Sequence, residues 1–159
     1  MFIKTTKNRL YASDYDEDLV KIFDADCNMI GTIPTNECHG PYDITEGDDG
    51  LYVVGNNRIS VYSCAPNGEF IRHLNIQPSS VKLSDPRGIC FDCSGHLFVT
   101  QSGSGVQGVY VFTPSGQHVV SFGLASSGVS MVDPAGIVID EDGFVYVCDY
   151  GGSGKVVVF

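Results

Sequence analysis

The most constraining feature of this chain is a segment of fifteen residues that recurs along it. The segments DPRGICFDCSGHLFV at 85–99 and DPAGIVIDEDGFVYV at 133–147 share one residue order, and GPYDITEGDDGLYVV at 40–54 is a looser copy. A fourth copy, FIKTTKNRLYA at 2–12, lacks the opening residues. Repeats of this length are supersecondary units that bury a core only by stacking on one another. The chain is therefore expected to fold as a series of similar units.

Each copy predicts antiparallel strands joined by tight turns. A Pro-x-Gly-Ile opening leads into the first strand, and a turn such as Asp92–Gly95 separates it from the second. Turns at Asn67–Gly68 and Ser115–Gly116 introduce a fourth strand, because glycine supplies the positive φ that such turns need. No segment has a sustained helical period, which predicts a chain almost without helix. The third strands are the apolar runs VKIF (20–23), ISVY (59–62), VYVF (109–112) and VVVF (156–159).

The spacing of the copies indicates the architecture. Pro41, Pro86 and Pro134 lie 45 and 48 residues apart, and four-stranded antiparallel units at this spacing are typical of β-propeller blades. The residue order Pro-x-Gly-Ile, Asp-x-x-Gly, hydrophobic-Tyr-Val, Asp, basic-Val-x-Val-Phe resembles the NHL repeat, most faithfully at 133–159 and in degraded form at 1–33.

The resemblance implies an all-β fold, a β-propeller of four-stranded antiparallel NHL-type blades. We expect about four blades here, the last lacking its outer strand, as part of a six-bladed ring. One domain would cover 1–159, with blades at about 1–33, 34–76, 77–123 and 124–159. The favoured interpretation is a piece of a larger propeller, and the alternative is a ring closed by two copies of the chain.

Two positions of the repeat vary between copies. The basic position before the third strand reads Leu19, Arg58, Gly108 and Lys155. The Asp position that ends the second strand reads Asp14, Gly55, Gln101 and Asp149. Asp149 and Asp14 are expected either to cap the amides of their own loops or to contact a partner.

Composition bounds the partners and the compartment. The formal net charge is −10, which disfavours nucleic acid and anionic membrane surfaces. No apolar run approaches the length of a membrane helix, and the first residues do not predict a signal peptide. A cytoplasmic, reducing location is therefore expected, with the six cysteines unpaired. Cys90 and Cys148 occupy strand positions that are Val138 and Val54 in other copies, which predicts small buried hydrophobes.

The antiparallel order predicts that the loops leading into the first strands and leaving the second strands share one end of the blades. Tyr and Arg side chains at such a depression are typical anchors for a partner. The opposite end collects acidic turns such as Asp48–Asp49 and Asp140–Asp142, which indicate a solvated acidic rim or a contact for a basic partner. The predicted partner-binding residues are Tyr15, Tyr42, Arg58, Arg87, Gln101 and Tyr150.

No cofactor or metal site is predicted. The acidic run 14–18 lacks the Gly and the closing Glu of a calcium loop, and Cys90, Cys93 and His96 lack a fourth zinc ligand. The stretch 151–155 ends like a phosphate loop but lies between two strands instead of before a helix. No nucleophile has a base placed beside it.

The expected function is a non-catalytic protein-interaction module. The resemblance is nearest to the C-terminal propeller of the tripartite-motif (TRIM–NHL) ubiquitin ligases, which implies substrate recognition without ligase activity in this chain. Two alternatives remain open. One is binding of single-stranded RNA by the loop end, against the net charge, and the other is catalysis as a propeller lyase or lactonase.

Overall fold

The computed structural model describes residues 9–65, 67–124, 128–129 and 131–159 in full and residues 3–6 by their backbone. These residues form fifteen strands and no helix, which confirms the all-β prediction. Accordingly, no helix in the described ranges is long and apolar enough to cross a membrane. The chain divides into two compact units, Met1–Leu74 and Asn75–Phe159.

The first unit contains two four-stranded sheets in which each strand pairs antiparallel with the next. The first sheet consists of β1 (Ile3–Thr6), β2 (Arg9–Asp14), β3 (Leu19–Phe23) and β4 (Met29–Pro34). The second sheet consists of β5 (Pro41–Gly47), β6 (Gly50–Gly55), β7 (Arg58–Tyr62) and β8 (Phe70–His73).

The second unit repeats this arrangement. The third sheet consists of β9 (Pro86–Phe91), β10 (Leu97–Gln101), β11 (Gly108–Phe112) and β12 (His118–Phe122). The fourth sheet has three strands, β13 (Pro134–Ile139), β14 (Val145–Asp149) and β15 (Lys155–Val158). The four sheets follow the four copies of the repeat, and the last sheet lacks the outer strand, as the sequence predicts.

Each unit has an apolar core between the facing sides of its two sheets. In the first unit, Tyr11, Val20 and Ile22 of the first sheet pack with Ile44 and Val53 of the second. The core of the second unit is made of Cys90, Phe98 and Val109 from the third sheet and of Ile137, Val145, Val147, Val157 and Phe159 from the fourth. Alternate residues of a strand point to opposite faces, so each sheet buries one set of side chains in its core.

Hydroxyl groups tie neighbouring sheets together beside these cores. Thr100 Oγ1 accepts a hydrogen bond from the Gly88 amide at 2.7 Å and donates one to the Ala135 carbonyl at 2.6 Å. In the first unit, Ser13 Oγ donates to the Tyr42 carbonyl at 2.8 Å. These two bonds occupy equivalent positions of the repeat, and they fix where the first strand of the next sheet begins.

All six cysteines are free thiols. Cys90 is buried, as its apolar position predicts, but Cys148 is exposed. The prediction of a buried Cys148 is therefore wrong. Its side chain lies on the face of the fourth sheet that is turned away from the core of the second unit.

Candidate functional site

The loop ends of the two units are the candidate sites. We define the loop end of a sheet as the end where its first strand begins and its second strand stops. The register places the start of β5 opposite the end of β6, and the start of β13 opposite the end of β14. Within each unit, the loops that lead into first strands and those that leave second strands therefore lie at the same end of the sheets.

Two tyrosines meet at the loop end of the first unit. The rings of Tyr15 and Tyr42 are tilted against each other with centroids 5.1 Å apart. Tyr15 also lies over Gly40, where an added Cβ would come within 2.6 Å of the Tyr15 ring. The backbone of Gly40 has a φ of +57°, which a side chain would strain. The Tyr15 ring thus packs against the Gly40 backbone, and 52% of the residue's surface remains exposed.

Asp18 holds the segment beneath this aromatic pair. Its Oδ1 accepts the Gly40 amide at 2.5 Å, and its Oδ2 lies 3.2 Å from Nδ1 of His39. The Gly40 amide and then His39 lower the pKa of Asp18 below its ordinary value, because both stabilise the ionised carboxylate. The loop after β2 and the segment leading into β5 are therefore joined by one ionised side chain.

Asp14, at the Asp position that ends β2, makes its hydrogen bonds within the chain. Asp14 accepts a hydrogen bond from Lys21 Nζ at 2.6 Å and another from the Glu17 amide at 3.2 Å. The Lys21 ammonium is the main reason that the pKa of Asp14 is lowered. The repeat alignment shows Leu19 at the basic position of this copy, so reasoning by position misses Lys21. The signal was the next basic residue on the same face of the strand, two positions further on.

Arg58 lies at the same end of the first unit. It opens β7 after the two-residue turn Asn56–Asn57, in which both residues have positive φ. Such turns favour Asn because it tolerates the left-handed conformation. The exposed Arg58 side chain donates from Nη1 to the Glu37 carbonyl at 3.4 Å.

Arg87 lies between two carboxylates at the loop end of the second unit. Its Nη2 donates to Asp85 Oδ2 at 2.9 Å, and its Nη1 is 3.6 Å from Asp133 Oδ1. Ser102 Oγ donates to the same Asp85 oxygen at 2.7 Å. Arg87 is the largest cause of the lowered pKa of Asp85. The guanidinium thus joins the segments that lead into β9 and β13.

Gln101 differs from the other predicted contact residues because it is fully buried. Its Oε1 accepts the Ser84 amide at 2.6 Å and so holds the segment leading into β9. Its place in the fold is that of a positioning residue. Alternation along β10 places Gln101 on the same face as Leu97 and Val99, which are both fully buried, and this was the signal that the side chain lies inside.

Asp149 of the fourth sheet, like Gln101 of the third, accepts amides of the segment that leads into the first strand of its sheet. Its Oδ1 accepts the amides of Asp133 at 2.7 Å and Val132 at 3.1 Å. Burial opposes ionisation, but the amides of Asp133 and Val132 lower the pKa of this carboxyl below its ordinary value. Asp149 therefore caps mainly the segment leading into β13, with a longer contact of 3.4 Å to the Gly151 amide of its own loop.

Tyr150 projects from this anchored segment. Its amide donates to the Asp133 carbonyl at 2.9 Å, while its side chain is 79% exposed. The backbone of Tyr150 is thus held by the segment leading into β13, and its exposed ring can contact another molecule. Tyr15 follows Asp14 as Tyr150 follows Asp149, so both units present a tyrosine at one position of the repeat.

The aspartates at the opposite ends have a structural role. Asp24, Asp92 and Asp140 each accept two amides of their own turn, at 2.8–3.0 Å. Asp92 and Asp140 do so in the turn between the first and second strands, and Asp24 in the turn between the third and fourth strands, as Asp does in tight turns. Across the described part of the chain, no three His, Cys, Asp or Glu side chains are placed to hold a metal ion.

With this geometry known, comparison with other proteins identifies the repeat. Residues 131–159, the fourth sheet with the segment that leads into it, match the sequence profile of the NHL repeat. No curated protein sequence matches the chain. The repeat predicted from residue order is thus found independently in its most faithful copy.

Solved structures extend the likeness to the whole chain. The chain is similar to a subunit of a nidogen–laminin complex with a TM-score of 0.76 at 17% identity, over 96% of this chain and 56% of that one. Virginiamycin B lyase from Staphylococcus aureus gives 0.68 at 18% identity, over 99% and 54%. Myxococcus xanthus glutaminyl cyclase gives 0.71 at 12% identity, over 98% and 71%.

These likenesses confirm the predicted β-propeller fold class, and the NHL type of the repeat rests on the match over residues 131–159. At such low identity they concern the fold alone. The chain spans about half the length of the lyase and of the nidogen–laminin subunit. The number of blades in a closed ring stays a prediction.

Proposed function

We propose that this chain is a non-catalytic recognition module that binds a protein partner through the loop ends of its blades. The finer proposal is that it serves as the substrate-recognition part of a TRIM–NHL-type system in the cytoplasm. The observation that carries the proposal is the pair of exposed tyrosines, Tyr15 and Tyr150, each on a loop held by internal hydrogen bonds.

Rigid aromatic side chains are efficient contact residues. Tyrosine buries a large area on binding and loses few rotamers, and tyrosine and arginine are enriched among the residues that dominate binding energy. A loop that is ordered before binding costs less entropy when the partner arrives. Tyr15 on Gly40 and Tyr150 on Asp133 both meet this condition.

The titratable groups of the loop ends support binding more than acid–base catalysis. Asp14, Asp18, Asp85 and Asp149 all have lowered pKa values and accept hydrogen bonds that maintain the fold. A general acid or base is more effective with a pKa near the working pH. The likeness in fold to a lyase and a cyclase is what supports the enzyme alternative.

The decisive experiment compares captured proteins between matched variants. Tagged wild-type chain, Tyr15→Ser, Tyr150→Ser and the control Phe144→Ser are used to capture proteins from cell extract, which are quantified by mass spectrometry. Phe144 is a suitable control because it is 52% exposed and lies in the turn at the opposite end of the fourth sheet. The affinity of the purified captured protein is then measured for each variant.

We expect each tyrosine substitution to weaken binding by about tenfold or more, as for an anchor residue worth about 1.4 kcal/mol or more, while Phe144→Ser binds like wild type. Equal affinity of all four chains would reject the loop ends as the binding surface. Retention of RNA with a steep salt dependence would favour the nucleic-acid alternative instead.

A further inference from the structure

The loop 14–18, which follows β2, is strongly negative. It carries four carboxylates, and Lys21 pairs with two of them, Asp14 at 2.6 Å and Glu17 at 3.3 Å. Asp16 is exposed, and its carboxylate enters no ion pair within the described ranges of the chain. The charge of the loop is thus only partly balanced by the described residues, and such a loop attracts a positive group from outside.

The fourth carboxylate of the loop, Asp18, lies beside the aromatic pair. Its Oδ1 accepts the Gly40 amide at 2.5 Å, and the Tyr15 ring packs against the same glycine. That amide is the main reason that the pKa of Asp18 is lowered, so the carboxyl is ionised at neutral pH. Arg58 and Glu37 at the same end add one charge of each sign and leave the balance unchanged. An exposed tyrosine ring therefore lies next to an ionised carboxylate.

A tyrosine ring and a carboxylate already hold a cation elsewhere in the first unit. The guanidinium carbon of Arg72 lies 5.7 Å from the centroid of the Tyr52 ring. Nη2 of the same residue donates to Asp49 Oδ2 at 2.7 Å and to the Tyr52 hydroxyl at 3.0 Å. At Tyr52 the cation comes from β8 of the chain itself. The face of an aromatic ring attracts such a cation through its quadrupole.

The second unit shows a cation at the position that Tyr42 occupies in the first. Tyr42 and Arg87 are the second residues of β5 and β9, each directly after a proline. Arg87 lies 2.9 Å from Asp85 and 3.6 Å from Asp133, so the second unit balances these carboxylates with its own guanidinium. In the first unit this position supplies an uncharged ring, and a positive group has to come from another molecule.

Building on the proposed function, we propose that the loop end of the first unit binds a basic segment of the protein partner. An arginine or lysine side chain of that segment lies over the exposed face of the Tyr15 ring, beside Asp16 and Asp18. The ring attracts the cation through its quadrupole, and the carboxylates attract it through their charge. A neutral or acidic segment gains neither attraction.

The test uses a short blocked peptide in which glycine and arginine alternate, and the same peptide with glutamine in place of arginine. NMR titration of the isotope-labelled wild-type chain measures the affinity and maps the amides that shift, at low salt because salt screens surface charge. We expect the largest shifts in 14–18 and 40–42, and binding of the glutamine peptide to be weaker by about tenfold or more. Equal binding of the two peptides, or largest shifts at the acidic turns 46–49 or 140–142, would overturn the proposal. This measurement needs no substitution and therefore no assumption about folding.

Three variants then assign the contributions within the loop end. Tyr15→Leu removes the aromatic face and keeps an apolar side chain, and we expect it to weaken the arginine peptide about twofold to fivefold, as for an exposed cation–π contact. Asp16→Asn should weaken it by about twofold or more. The control Asp142→Asn removes the same charge from an exposed turn at the opposite end of the fourth sheet and should bind like wild type. Equal weakening by Asp16→Asn and Asp142→Asn would show attraction by net charge alone and would reject the assigned site.

The result can be separated from that of the proposed function. The arginine peptide should bind equally to wild type and to Tyr150→Ser, although that substitution is expected to weaken the captured protein. A captured protein that needs both tyrosines, together with an arginine peptide that does not bind, would overturn the basic segment alone. An arginine peptide that binds at Tyr15, without any captured protein that depends on the loop ends, would reject the broader proposal and keep the cation site.

Discussion

The hydroxyl of Thr100 donates a 2.6 Å hydrogen bond to the carbonyl of Ala135, thirty-five residues further along the chain. The same hydroxyl accepts the Gly88 amide. One side chain thus connects the second strand of a sheet to its own first strand and to the first strand of the next sheet. Ser13 makes the corresponding contact to the Tyr42 carbonyl in the first unit.

Replacing Thr100 by Val keeps the shape of the side chain and removes both hydrogen bonds. Because Thr100 is fully buried, the Gly88 amide and the Ala135 carbonyl would lose a partner away from water. We expect the free energy of unfolding to fall by about 1–3 kcal/mol. Urea unfolding measures this free energy, and the control is Thr32→Val at an exposed position. An equal effect of both substitutions would contradict the role of Thr100 in joining the two sheets.

Gly88→Ala tests how closely the two first strands approach. A Cβ at Gly88 would lie 2.2 Å from the Ala135 carbonyl oxygen, which is backbone and has little freedom to move. We expect a loss of about 3 kcal/mol or more, since overpacking forces the strands apart.

Gly95→Ala is the comparison for this substitution. Its Cβ meets nothing within 4 Å, although its φ of +82° is strained for alanine. That strain costs about 1–2 kcal/mol. A smaller loss of unfolding free energy for Gly88→Ala than for Gly95→Ala would contradict the close approach.

Asp149→Asn tests the ionised cap on the segment leading into β13. The folded state lowers the pKa of Asp149, so its stabilising effect is fully present above the unfolded value of about 3.9 and is lost as pH falls through the folded value. We expect the variant to be less stable by about 1–3 kcal/mol at pH 7. The difference should shrink as the pH falls below about 4, measured by urea unfolding at several pH values, and a constant difference would contradict the ionised cap.

Lys21→Met tests the ion pair that the repeat alignment does not reveal. Removing the ammonium takes away the main cause of the lowered pKa of Asp14, so that pKa should rise toward its ordinary value. An NMR titration of the Asp14 carboxyl measures the change. Lys82→Met, at an exposed position of the second unit, should leave the titration unchanged, and an Asp14 pKa that is the same in both variants would exclude the proposed pairing.

Most of the strand framework can be predicted from the sequence because each copy repeats the same turn chemistry. The predicted third strands coincide with β3, β7, β11 and β15 to within one residue. The turns at Asn67–Gly68 and Ser115–Gly116 are present, with positive φ at both glycines. Local patterns decide these features, so they do not depend on which sheets become neighbours.

The details of the site could not be predicted in this way. Tyr15, Tyr42, Arg58, Arg87 and Tyr150 all lie at loop ends, but the sequence does not indicate that Gln101 accepts the amide of Ser84, seventeen residues earlier. Cys148 is exposed, because burial at its position requires a sheet packed over that face and its own strand does not supply one. Sequence equivalence predicts position within a sheet, whereas burial depends on what packs against that sheet.

The end of the second strand illustrates how such a repeat diverges without losing its structure. A carboxylate in one sheet and an amide in another capture the main chain of the preceding segment, and at Gly55 the carbonyls of His39 and Gly40 occupy the space that a side chain would need. Unlike side chains, Asp149 and Gln101, thus satisfy the same backbone requirement in two sheets. A profile built on residue type therefore matches residues 131–159 here, although four sheets share the strand arrangement.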